Sequence, residues 1–179
     1  MNRALSWQQF ELISGEWRIC LACNRWGGGR AAMHCFRVIS RLGDGLIWYA
    51  LMLGIALFGG QQGYKAALHM ACVGMFAAIL YRVLKRWTRR PRPFRSHAQI
   101  VAHIAPLDEF SFPSGHTLHA VCFTLVASAW YPQLFPMLLP FTLLIAASRV
   151  VLGLHYPSDV IVAMLIGFAL AETSCLFIL

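Results

Sequence analysis

Three short clusters hold the residues in this chain that could do chemistry. They are Lys85 with Arg92-Pro93, then Pro113-Ser114-Gly115-His116, then Ser148-Arg149 followed by His155 and Asp159. Together they offer three permanent cations, two imidazoles, a carboxylate, a hydroxyl and a glycine turn. An arginine fork matches two phosphate oxygens at once, and a lysine adds a compact charge. A neutral imidazole can attack phosphorus, and an imidazolium can protonate a departing oxygen. The combination suits cleavage of a phosphate ester or anhydride at a membrane surface.

Each residue also has a plainer reading. Lys85 and Arg92 could be basic flanks of an apolar span. Arg149 fits that role less well, because it lies near the end of an apolar run, where a charge is costly and usually functional. Pro113-Ser114-Gly115-His116-Thr117 opens a helix, whose first amides are unsatisfied and attract an anion. Gly115 allows a phosphate to approach closely, and Ser114 either adds a hydroxyl donor or simply caps the helix. Asp159 falls one helical turn after His155. It can hold one imidazole nitrogen protonated and leave the other free to attack, or it can be an ordinary first-turn acid. A lone histidine at a helix end is usually structural, but two beside three cations make a different case. His34, His69, His97, His103 and His119 lack such company and are expected to be structural or solvated. Glu172, an acid inside the last apolar run, suits an interhelical hydrogen bond.

These clusters need elements to position them. The chain has 179 residues, 59% hydrophobic and 12% charged, with a mean hydropathy of +0.61. A soluble domain needs far less apolar material, so the membrane class comes first. Apolar runs lie at residues 46–60, 66–84, 115–130, 134–152 and 157–179, with a polar turn at 61–65 and a long polar segment at 86–112. The pattern predicts an all-α, polytopic transmembrane helical bundle of about five spans, or six if the N-terminal segment crosses. Residues 5–23 carry helical apolar spacing broken by Glu11, Glu16 and Arg18, and 31–41 look similar. Residues 1–45 are therefore expected to form an amphipathic, interfacial region ahead of a membrane domain at 46–179. No cleavable signal peptide is expected, because the N-terminal apolar stretch is interrupted by charge. With one crossing per run, Lys85, His116, His155 and Asp159 all fall at one end of the bundle.

The net charge of +8 does not point to nucleic acid, since the arginines flank apolar spans and form no stripe with interleaved aromatics. Cys20-x-x-Cys23 with His34-Cys35 fits no common zinc spacing, and no metal is expected there.

Lys85-x6-Arg92-Pro93, Pro113-Ser114-Gly115-His116 and Ser148-Arg149-x5-His155-x3-Asp159, in this order, resemble the three motifs of the type 2 phosphatidic acid phosphatase superfamily, which also holds the vanadium haloperoxidases. The resemblance covers about residues 46–179 and leaves 1–45 unexplained. It implies a phosphatase that uses no metal or other cofactor. His155 would attack phosphorus and form a phosphohistidine, Asp159 would orient it, and His116 would protonate the leaving oxygen. Lys85, Arg92, Arg149, Ser114 and the Gly115 amide would hold the phosphate oxygens. Membrane members often have six spans, one more than is read here.

The partners implied are a lipid phosphate and the surrounding membrane lipids, in a bacterial inner membrane. Undecaprenyl pyrophosphate is the first choice of substrate, favoured by compact size and short loops, ahead of phosphatidylglycerol phosphate, phosphatidate and lipid A phosphates. The resemblance places the site on the exterior face. The basic residues argue for the cytoplasmic face, with six in 1–45 and six in 85–95 at the site end. Three rival readings are a vanadate-dependent haloperoxidase, a non-catalytic lipid binder and a lipid phosphotransferase.

Overall fold

The computed structural model describes residues 15–26 and 29–178. Among them are α1 (Glu16–Trp26), α2 (Arg30–Leu42), α3 (Leu46–Phe58), α4 (Gly60–Thr88), the four-residue α5 (Pro93–Ser96), α6 (Gly115–Trp130), a 3-10 turn (Pro132–Leu134), α7 (Phe135–Val151) and α8 (Pro157–Ile178), with no strand. The expectation for residues 5–14 lies outside the described residues.

Three segments are long and apolar enough to cross a bilayer: Gly60–Ser96, Pro132–Val151 and Pro157–Ile178. A fourth is added only if α2 and α3, bent by 50°, count as one broken span. Helix α3 alone has 13 residues, about 20 Å of helix against a hydrocarbon core of roughly 30 Å. The run at 46–60, expected to be a thin crossing, is therefore too short by itself. The expected polar turn at 61–65 is also different, since Gly63 N donates to Gly59 O at 2.9 Å and the backbone is already helical there. Gln61, Gln62 and Tyr64 are exposed around the buried Gly63.

Helix α6 is central and packs against α4, α7 and α8. Its buried Leu118, Cys122, Phe123 and Val126 join Trp48, Met70, Ala77 and Ile145 in one core. Gly74 lets α4 come close: a Cβ there would lie 2.7 Å from the Phe123 ring. One polar cluster inside the bundle is paired, as a low-dielectric interior favours. Trp130 Nε1 donates to His69 Nδ1 at 3.0 Å, and His69 Nε2 meets Ser174 Oγ at 2.9 Å. Because the indole N–H can only donate, Nε2 carries the imidazole proton toward Ser174. His69 thus ties α4 to α6 and α8 and is structural, as expected. Glu172 lies on an exposed side of α8.

The N-terminal helices dock on the end of the bundle where the motif clusters sit. Asn24 Nδ2 donates to Val101 O at 3.0 Å and Val151 O at 2.9 Å, and its Oδ1 accepts from Val101 N at 3.0 Å. One amide therefore satisfies two loops. Cys20, of the Cys20-x-x-Cys23 pair, directs its thiol at His155 O at 3.7 Å. The turn between α7 and α8 depends on Gly153, whose φ of +74° favours glycine and whose Cβ would sit 2.6 Å from Val101 O.

Candidate active site

All three clusters converge at this end of the bundle. A cavity of about 430 Å³ opens there between α3, α4 and α6. At one end it is lined by Lys85, Arg92, Asp108, His116, Arg149 and His155. At the other it is lined by Trp48, Met52, Ala71, Gly74, Met75 and Phe123. The cavity is therefore amphipathic, with a charged head and an apolar arm between helices.

Lys85 ends the last turns of α4, and Arg92 follows the chain reversal at Arg89. Lys85 Nζ donates to Phe110 O at 3.0 Å. Arg92 Nε donates to Asp108 O at 3.1 Å and Nη1 to Leu154 O at 2.9 Å. Main-chain carbonyls thus aim both cations. Both also bind the Asp108 carboxylate: Lys85 Nζ at 2.8 and 2.7 Å, Arg92 Nη2 at 2.9 Å. Burial pushes the Asp108 carboxyl up, but Lys85 and then Arg92 outweigh this and hold it below the usual carboxylate range. Arg149, in the last turn of α7, is held by the Ser40 hydroxyl of α2. Its Nε is buried and without a partner among the described residues. Arg149 also lines the cavity, and a guanidinium with an unmatched donor suits an anion.

His155 follows the Gly153 turn, its N–H donating to Arg149 O at 3.1 Å. Arg92 Nη1 lies 3.3 Å from His155 Nε2. A guanidinium can only donate, so Nε2 carries the lone pair and Nδ1 the proton. Burial first, then Arg92, Arg149 and Lys85, push the imidazole well below its ordinary pKa and keep it neutral. A neutral ring whose Nε2 lone pair meets only the Arg92 guanidinium has the protonation state that a nucleophile needs and an acid lacks.

Asp159 is fully buried in the first turn of α8, with Oδ2 at 3.6 Å from His155 Nδ1. That is longer than a hydrogen bond. Oδ2 accepts from Tyr156 N at 2.9 Å, and Oδ1 accepts from Arg90 Nη1 at 2.7 Å. Arg90 is itself fully buried, lies 4.1 Å from the Tyr156 ring centroid, and pairs with Glu16 of α1.

His116, at the start of α6, places Nε2 2.5 Å from Asp44 Oδ1 in the turn between α2 and α3. Gly115 lines the cavity, and a Cβ there would touch the Tyr81 ring at 3.4 Å. Ser114 does not line the cavity. It is buried behind it, its Oγ 3.0 Å from Thr117 Oγ1, and its side chain makes no helix cap. Of the eight residues singled out from sequence, six reach the cavity. Asp159 stands behind His155, and Ser114 stands behind Gly115.

Sequence reasoning missed Asp44, Asp108, Arg90 and Glu16. Asp108 carried a signal, as a carboxylate just ahead of Pro113-Ser114-Gly115-His116 in an otherwise basic segment. Arg90 lay inside the Lys85-x6-Arg92 spacing and was counted as a flanking charge. His119 lines the cavity too, but both ring nitrogens meet carbonyls, Gly115 O at 2.9 Å and Gly74 O at 3.1 Å. Among the described residues no group of histidine, cysteine or acidic side chains has the arrangement to hold a metal ion.

Known proteins share this architecture. The Bacillus subtilis transmembrane PAP2-type phosphatidylglycerolphosphate phosphatase superposes with a TM-score of 0.74 at 25% identity, covering 99% of this chain and 96% of that one. Aquifex aeolicus LpxE superposes with a TM-score of 0.76 at 24% identity, over 88% of this chain and 92% of that one. In sequence, the undecaprenyl-diphosphatase BcrC of Bacillus subtilis is 33% identical over 130 residues, 69% of this chain and 66% of the relative. The lipid A 1-phosphatase of Rhizobium johnstonii is 28% identical over 156 residues, 75% of this chain and 63% of the relative. The chain spans a little under two thirds of the length of these curated relatives. The PAP2 superfamily profile matches residues 66–178, from α4 to the end of α8. The stretch that carries all three clusters is thus the stretch that the family defines, and this integral membrane protein belongs to the PAP2 superfamily.

Proposed function

We propose that the protein is a metal-independent lipid phosphatase that works through a phosphohistidine. The observation that carries this reading is the placement of His155. It lines the cavity with Lys85, Arg92, Arg149 and His116, and its Nε2 is the unprotonated nitrogen, beside Arg92.

In this reading the phosphoryl group lies against Lys85, Arg92, Arg149 and the Gly115 amide. Ser114 supports that amide from behind. The Nε2 lone pair forms the N–P bond while the P–O bond to the leaving group breaks. The leaving oxygen takes a proton from His116, which Asp44 holds in place. Nδ1–H turns to Asp159 as the ring becomes positive, closing the 3.6 Å gap. Such contacts tighten as the transition state forms. His116, now lacking that proton, takes one from the water that attacks phosphorus, the N–P bond breaks with its electron pair returning to Nε2, and orthophosphate leaves. Three fixed cations supply the charge neutralisation that this displacement needs.

The apolar arm accounts for a lipid substrate. Undecaprenyl pyrophosphate is the first choice, supported by the likeness to an undecaprenyl-diphosphatase. Phosphatidylglycerol phosphate, phosphatidate and lipid A phosphates share the same head chemistry. The test is phosphate release by purified, detergent-solubilised protein from each lipid, with EDTA present. Release from one lipid that survives EDTA and is lost in His155→Ala is the expected result. Turnover in His155→Ala would exclude the phosphohistidine, and loss of activity on chelation would exclude the metal-free route.

A further inference from the structure

Asp108 sits where the substrate's phosphoryl group would go. Its two oxygens take both cations at once, Lys85 on each oxygen and Arg92 on one. These are the donors that two non-bridging phosphate oxygens would use. The Asp108 side chain is 38% exposed, whereas those of Lys85 and Arg92 are 7% and 2% exposed. An anion arriving from the cavity mouth therefore meets the carboxylate before it meets the cations.

The carboxylate is not what aims these cations. Lys85 keeps Phe110 O, Arg92 keeps Asp108 O and Leu154 O, and Arg149 keeps Ser40. Removing the acid leaves three donors in place with unmatched charge. A part that served to hold the cradle together would have no such redundancy behind it.

We propose that Asp108 is an internal competitor, an anion of the chain itself that occupies the phosphate cradle and that every phosphoryl ligand must displace. The proposal rests on reading this cavity as a phosphate site. Displacement lowers affinity for all phosphoryl anions by the same factor. A lipid phosphate recovers that loss by burying apolar chain in the arm lined by Trp48, Met75 and Phe123. Orthophosphate has no chain and cannot. Asp108 thus returns to Lys85 and Arg92 as orthophosphate leaves, and it keeps soluble phosphates from holding the site.

The test is equilibrium binding of orthophosphate to the detergent-solubilised full chain, by titration calorimetry, in wild type, Asp108→Asn and Asp108→Ala. Asparagine keeps the shape and alanine removes the group, and circular dichroism checks the fold of each. The expected result is orthophosphate affinity tighter by roughly tenfold or more in both variants, the scale of one charge-assisted contact. Affinity that is unchanged or weaker in the variants, with saturable binding in wild type, would overturn the proposal while leaving the phosphate site intact. No saturable binding in any of the three proteins would overturn the phosphate site itself, and the proposal with it.

Discussion

The buried Arg90 is the residue on which we expect the heaviest penalty outside the reacting groups. Its side chain is 1% exposed, and it joins Asp159 at 0% to Glu16 at 8%. It also donates to Ser158 Oγ at 2.7 Å, while Ser158 N donates to Glu16 Oε2 at 3.2 Å. Arg90→Met keeps much of the bulk against Tyr156 but strands two carboxylates in the interior. Breaking a buried pair in this way costs about 3–5 kcal/mol. At about 2–4 °C per kcal/mol for a chain of this size, the unfolding midpoint should fall by roughly 6–20 °C. Glu16→Gln should be milder. In Arg90→Met the Glu16 charge is a liability, so the double variant should lose less than the sum of the singles, with a coupling of about 1.5 kcal/mol or more. Activity should fall as well. Asp159 would lose its charged partner and keep its Tyr156 and Ser111 contacts, and a displacement of this kind costs on the order of 10²-fold in kcat. The assays are thermal unfolding in micelles and phosphate release well below the variant's midpoint. Full turnover in a destabilised Arg90→Met would refute the link to Asp159. Additive single variants would refute the coupling of α1 to the site.

Two further expectations follow from named contacts. The folded protein keeps His155 neutral, whereas the unfolded chain takes up a proton there below about pH 6.5. More protons on the unfolded state mean that stability rises with pH through that range and falls as pH is lowered. His155→Gln should therefore flatten the loss of midpoint between pH 7 and pH 5, and an unchanged slope would contradict the assignment. Gly74→Val should push the Phe123 ring into the apolar arm, raising KM for a long-chain lipid phosphate several-fold while leaving orthophosphate binding near its wild-type value. An equal loss for both ligands would show that the arm does not hold the chain.

Much of the site was legible because it is encoded at short range. The spacing of His155 and Asp159 is one helical turn, and the spans on either side force Lys85, His116 and Arg149 to the same end. The other half is encoded at long range. Glu16 and Arg90 are 74 positions apart, and Ser40 and Arg149 are 109 apart. No local period announces such pairs. Glu16 read as a charge that interrupts an amphipathic helix, because its burial depends on a cation that arrives only with the tertiary fold. Asp44, between two glycines, read as a turn residue, and the turn is real; its contact with His116 follows from how α2 packs on α7. The 61–65 segment misread for the opposite reason. Polar side chains suggested a loop, yet a helix tolerates them wherever one face is exposed.

At the site end Lys85, Arg90, Arg92 and Arg149 face the acids Glu16, Asp44, Asp108 and Asp159, with His155 neutral, Arg82 in the same cavity lining and Arg41 paired to Asp44. Buried cations are tolerated only with such compensation. A phosphoryl dianion entering among these acids meets like charge, which favours the release of one of them. Asp159 and Glu16 are buried and locked to Arg90. Asp44 is paired with His116 and Arg41. Asp108 alone is bound to the phosphate-facing cations and reaches solvent. In the exchange proposed above, its departure returns a carboxylate to water as the phosphate arrives, so one anion replaces another on Lys85 and Arg92.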